Sequence, residues 1–260
     1  MKGPNADASR GYAPLVEELQ RLYPTLTHNP PPWREGYKQV GHLAHGWYLR
    51  CHRGVEAILR LDQSGYAEEA SPIRRSVIEH VLALRWLSVE GDKILDTLAG
   101  GHARNAQQIL DATKDAGWTS IDFEAIKEIV ANANPPDRDR HNDNLLHWNA
   151  RLAKYGDKYS TPGYIAETAR THPTYESAIC YVELPDGGLL SASRDRIWQV
   201  PFCTTHLLEA LLAVRDAFDP SPWESELERI IERYRSVTDA VRREDGMPAI
   251  DWSAGTTSSN

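Results

Sequence analysis

The chain has 260 residues, 41% hydrophobic and 25% charged, with 29 Lys and Arg against 37 Asp and Glu, a net charge of −8 and a pI near 5.7. That length allows one large domain or two small ones. The acidic balance excludes the basic whole-chain footprint of a general nucleic-acid binder, while leaving local basic patches open. Three widely spaced cysteines, Cys51, Cys180 and Cys203, form no Cys-x-x-Cys pair, which implies neither a disulfide framework nor a zinc knuckle and points to buried structural thiols.

The first residues, MKGPNADASRGYAP, hold no apolar core of signal-peptide length, and no run approaches the length a membrane helix needs. A cytoplasmic protein with no membrane partner is the expectation. Residues 1–12 read as disordered. Residues 14–24 read as a short amphipathic helix opened by Pro14 and ended by Pro24. The prolines at 30–32 make an extended connector. Apolar residues Val40, Leu43, Trp47, Val55, Ile58 and Leu59 keep helical spacing within a long helix over 35–62.

Residues 71–87, SPIRRSVIEHVLALRWL, form the next helix, with Ser71 placed to cap it and Pro72 in its first position. A start near Tyr66 with a kink at Pro72 is the alternative. One or two helices follow over 91–117, loosened at Gly100-Gly101, and another over 121–134. A charged loop spans 135–144, and a short helix over 145–156 stops at a glycine. Two short helices over 161–184 meet at His172-Pro173, and a Pro-Asp-Gly-Gly turn follows. The most apolar helix of the C-terminal half lies within 198–220. The last helix, 221–244, has Ser221 as cap, Pro222 as opener and Glu224 completing a capping box. One helical domain over 13–244 is expected, with a flexible tail over 245–260, because the segment before the proline connector is too short to fold alone.

On a helical wheel His80 lies with Ile73, Val77, Leu84 and Leu87, whereas Arg75 and Glu79 share a different face. The plainest account makes Arg75 and Glu79 a surface pair and His80 a core histidine. The segment Arg75-Ser-Val-Ile-Glu-His80 also resembles the Arg-x4–6-His motif of HEPN ribonuclease domains, small helical bundles in which Arg and His from paired subunits meet at a cleft. That resemblance implies an all-α fold, an antiparallel helical bundle with additional packed helices round a HEPN-like core. It also implies a homodimer and metal-independent RNA cleavage in a toxin or defence setting. Histidine exchanges protons near neutral pH, and arginine clamps phosphate.

With ten His and 22 Arg, the spacing recurs by chance. It is found at Arg21/His28, Arg74/His80, Arg75/His80 and Arg140/His147. A wider likeness, covering roughly residues 35–220, is to uncharacterised bacterial helical proteins. These share an Arg-x3-Glu helix and a later Ser/Thr-x3-His-Pro segment, here Arg75/Glu79 and Thr168/His172, with Thr where Ser is common. The candidate catalytic residues are therefore Arg75, Glu79, His80 and His172, and RNA is the candidate partner. The alternative is a non-catalytic helical protein that binds a protein partner or small ligand. No cofactor and no metal is expected. His42, His45 and His52 share a face near Glu56, but no Glu-x-x-His pair of the di-iron kind is found.

Overall fold

Apolar residues spaced three and four apart become ten α-helices in the computed structural model, which describes residues 6–23, 32–118, 122–133, 142–157, 160–179, 181, 199–221 and 223–252. They are α1 (Ala6–Arg21), α2 (Gly41–Gln63), α3 (Ser71–Glu90), α4 (Leu95–Asp115), α5 (Phe123–Ala133), α6 (Trp148–Tyr155), α7 (Ser160–Thr171), α8 (Tyr175–Ile179), α9 (Gln199–Arg215) and α10 (Glu224–Glu244). Among the described residues there is no strand, only an isolated bridge between Trp33 and Phe218. The fold is all-α.

One apolar core joins five of these helices. It takes Leu15 and Leu19 from α1, Tyr48, Val55 and Ile58 from α2, and Val77, Leu84, Trp86 and Leu87 from α3. Leu207, Leu211 and Val214 of α9 and Leu227 and Ile230 of α10 complete it. Helix α9 packs against α1, α2 and α3, which explains why its sequence is apolar nearly all round. A smaller cluster of Ile78, Leu82, Leu152 and Tyr164 seats α6 and α7 on α3. Helices α4 and α5 pack on one another.

Glycine sets one of these approaches. A Cβ at Gly54 would stand 2.7 Å from Val77 Cγ2, so only glycine lets α2 lie this close to α3. Gly91 adopts φ +57°, where side chains are disfavoured, and turns the chain out of α3.

Several expected boundaries move. Helix α1 begins at Ala6 and carries Pro14 inside it, so residues 6–12 are helical. Burial of Tyr12 and its hydrogen bond to Thr238 Oγ1 (2.9 Å) outweigh the weak local signal. Residues 1–5 and the stop at Pro24 lie outside the described residues. The long second helix begins at Gly41 rather than 35, capped from a distance: Asp92 Oδ1 accepts from the amides of Gln39 and Val40 at 3.0 and 2.9 Å. Ser71 is no cap, because its hydroxyl is spent on Glu167. Helix α4 runs unbroken through Gly100-Gly101, where a Cβ at Gly101 would press on Leu146. Helix α10 starts at Glu224 with Trp223 at its N-cap position and no side-chain cap, so the capping box at Ser221 does not form. Residues 245–252 are tied back by the Trp252 indole, which donates to the Asp239 carboxylate at 3.1 Å. The expected turn at 185–188 and the tail beyond 252 lie outside the described residues.

Candidate functional site

Two adjacent arginines on α3 leave the helix on different sides. Arg74 turns inward, with its side chain 3% exposed against Glu167 at 10%, and the two form an ion pair at 2.9 Å. Its Nη1 also donates to the carbonyl of Ala67 (2.8 Å) and to Gln199 Oε1 (3.0 Å). Ser71 Oγ donates to Glu167 Oε2 at 2.8 Å. Ser71, Glu167 and Gln199 are buried and Ala67 is half-buried, so this cluster fastens α3 to α7 and to the start of α9.

Arg75 turns to a half-open face, 24% exposed, beside Glu79 at 30%. Its Nε donates to Glu79 Oε1 (3.2 Å) and to the Tyr164 hydroxyl (3.0 Å), and that hydroxyl donates to Glu79 Oε1 (2.8 Å). Its Nη1 lies 2.9 Å from His172 Nε2. A guanidinium can only donate, so His172 Nε2 is the acceptor and the ring is the neutral tautomer with its proton on Nδ1. Tyr164 is held from behind by Trp148, stacked at 3.9 Å between ring centroids. Burial first, and the carboxylate of Glu79 second, push the Tyr164 phenol above its ordinary value. It therefore stays a donor.

His80 stands apart from this hydrogen-bonded group. Its Nδ1 lies 2.6 Å from the carbonyl of Ser76 on its own helix. A carbonyl only accepts, so Nδ1 carries the proton and Nε2 keeps a free lone pair. Burial holds the ring below the usual histidine range, and the charges of Arg50 on α2 and Arg151 on α6 act in the same direction. The Ser76 carbonyl and Glu79 oppose them. The structure thus brings Arg75, Glu79 and His172 together, adds Tyr164, and places His80 one step away, within reach of the Glu79 charge. Thr168 stands half-buried on α7, one turn beyond Tyr164.

Sequence reading missed Tyr164 and Arg151. Tyr164, Thr168 and His172 recur every four residues, the stripe of one helix face, and that repeat could have found the first. Arg151 carries no such signal. The other histidines do not converge. His52 Nε2 meets the carbonyl of Gln20 at 3.3 Å and its ring stacks on Tyr23, Glu56 pairs with Arg60 at 2.5 Å, and His42 is exposed. Among the described residues no three His, Cys, Asp or Glu are grouped to hold a metal. Of the other Arg/His spacings, Arg21 is exposed and pairs with Glu17, while His28 and Arg140 lie outside the described residues. Cys51 and Cys203 are buried and free, and burial pushes both thiols up. Cys180 lies outside the described residues. No helix among them is long and apolar enough to cross a membrane.

A family model matches residues 41–183, more than half of the chain. The chain belongs to DUF5677, a family of unknown function. It matches no curated protein and no solved structure. The DUF5677 segment begins where α2 begins and ends just past α8, so it holds Arg75, Glu79, His80, Arg151, Tyr164 and His172 together. Helices α1, α9 and α10 lie outside it, although they supply much of the apolar core.

Proposed function

We propose that the face formed by Arg75, Glu79, Tyr164 and His172 binds the backbone of RNA and cleaves it by proton transfer, as a HEPN-like domain would. The observation that carries this reading is the hydrogen bond from Arg75 to His172. It sets a phosphate-binding cation and a proton-exchanging ring side by side on a half-open surface, from helices far apart in sequence.

In this reading Arg75 turns from His172 to the scissile phosphate, while Glu79 and Tyr164 keep its Nε aligned. His80, neutral and free at Nε2, takes the proton of the ribose 2′-hydroxyl. The 2′-oxygen attacks phosphorus, and the bond from phosphorus to the 5′-oxygen breaks. His172, released by Arg75, takes a proton from water at Nε2 and passes it to that oxygen. The products are a 2′,3′-cyclic phosphate and a 5′-hydroxyl. The same reading includes one antiparallel helical domain over 13–244, a homodimer in the cytoplasm, and a toxin or defence setting.

A second reading is favoured by how fully Arg75 is engaged. Its contacts to Glu79, Tyr164 and His172 also suit a static fastening in a non-catalytic protein that binds a protein partner or small ligand. Incubation of the full chain with a panel of RNAs in EDTA separates the two. Cleavage to cyclic-phosphate ends, reduced at least about a hundredfold in both His80→Ala and His172→Ala with unchanged circular dichroism, is the expected result. No cleavage by the wild type, with Arg75→Ala lowering only the melting temperature, would establish the second reading instead.

A further inference from the structure

Tyr175 is the most exposed of the large apolar side chains among the described residues, at 70%. It belongs to neither apolar cluster, so the packing gives no reason for an aromatic ring there. Single exposed rings are common on protein surfaces. This one is set apart by where it stands and by how firmly its backbone is held. It follows His172 by three residues, a span of at most about 11 Å, and the His172 ring is the exposed partner of Arg75 at 2.9 Å.

The chain between the two rings is folded back on itself. Pro173 fixes one of its backbone angles. The amide of Thr174 donates to the His172 carbonyl at 2.8 Å and to Ser177 Oγ at 3.0 Å. The Ser177 amide donates in return to Thr174 Oγ1 at 3.2 Å, a reciprocal cap from which α8 starts at Tyr175. Thr174 Oγ1 itself donates to the carbonyl of Ala169, which ties the start of α8 to the last turn of α7. That turn is in register with α3, because Ser71 Oγ donates to Glu167 Oε2 at 2.8 Å. The Tyr175 ring is therefore presented to solvent from a fixed backbone beside the Arg75–His172 pair.

A phosphate held by Arg75 brings its own nucleoside with it. Every nucleobase has a flat aromatic face that stacks on a tyrosine ring, provided that the base is not already enclosed in a duplex. We propose that Tyr175 is the base-stacking residue of this face: its ring takes an unpaired base next to the phosphate held by Arg75, and so selects single-stranded RNA. The inference rests on the RNA reading above and assigns the part of the site that carries its selectivity. A nucleotide fits better than a peptide, since the ring is continuous with a phosphate-binding cation and a proton-exchanging imidazole.

The experiment measures binding of a short unstructured 2′-O-methyl RNA, which is not cleaved, to the full chain by fluorescence anisotropy. Each base of the strand is then replaced in turn by an abasic nucleotide. Tyr175→Ala is expected to weaken binding at least about fivefold, whereas Tyr175→Phe, which keeps the ring face, should bind as the wild type does. At one position the abasic strand should lose the same factor with the wild type and nothing with Tyr175→Ala, a coupling that a purely structural role would not produce. Trp118→Ala, which removes another exposed ring (58%) just beyond α4, should bind as the wild type does. The strand annealed to its complement should not distinguish the wild type from Tyr175→Ala. Equal binding of the single strand by the wild type and Tyr175→Ala, abasic losses that are the same in both at every position, or a Tyr175→Phe no better than Tyr175→Ala overturns this proposal and leaves the RNA reading standing. No binding of the single strand by the wild type at low salt overturns both and turns the exposed ring into a contact for a protein partner.

Discussion

Removal of Glu167 tests whether the pair it forms with Arg74 is a fastening or a bystander. The two side chains are 3% and 10% exposed and 2.9 Å apart. In Glu167→Ala the guanidinium would keep Ala67 and Gln199 but would stand inside the fold with no counter-charge. Breaking a buried pair on one side costs about 3–5 kcal/mol. For a chain of this size that corresponds to a fall of roughly 6–20 °C in melting temperature. Glu79→Ala, on the half-open face, removes an ion pair of the same chemistry at 3.2 Å and should cost only about 1 kcal/mol. Urea unfolding of both variants gives the comparison. Replacing both partners, Arg74→Met with Glu167→Leu, should restore most of the loss, because the orphaned charge then disappears. A loss below about 1 kcal/mol for Glu167→Ala, or a double variant no better than the single one, would refute the reasoning.

Two further outcomes are expected. Gly54→Ala, whose new methyl would meet Val77 Cγ2 at 2.7 Å, should destabilise by about 1–3 kcal/mol. Gly46→Ala, on the same helix with nothing within 4 Å, should stabilise by about 0.5–1 kcal/mol; denaturant melts that rank the two the other way would overturn the packing argument. His52 and His80 both protonate less readily in the fold than in the open chain, chiefly through burial. As pH falls through about 6.5 the unfolded chain takes up protons first, so stability should drop there and level off below the folded values. The double variant His52→Gln, His80→Gln should show a shallower drop in melting temperature between about pH 7.5 and pH 5, and an unchanged profile would count against it.

Helix content was legible from spacing and punctuation. The meeting of two short helices at His172 and the apolar character of α9 follow from residues close in sequence, and so does the Arg75–Glu79 pair, set four apart on one helix. What was not legible is what depends on distant partners. Ser71 looks like a cap in any short window, yet its hydroxyl turns to Glu167, 96 residues away. The start of α2 is decided by Asp92, and the extent of α1 by a face that α9 and α10 cover. Arg74 and Arg75 are indistinguishable by composition. Only the identity of the facing helix tells which becomes internal. Arg151 was overlooked because an arginine beside a leucine in a short amphipathic helix reads as a solvated charge, and that its Nε is buried with no hydrogen-bond partner among the described residues is visible only in three dimensions.

The inward arginine also has a consequence for its neighbour. Successive residues on an α-helix project about 100° apart, so any axial rotation of α3 that exposed Arg74 would swing Arg75 away from His172 as well. Because Arg74 is anchored in Glu167, Gln199 and Ala67, it works as a key in a keyway and fixes the azimuth of the whole helix. A variant that loosens this anchor should therefore misalign the outer face without touching any residue on it.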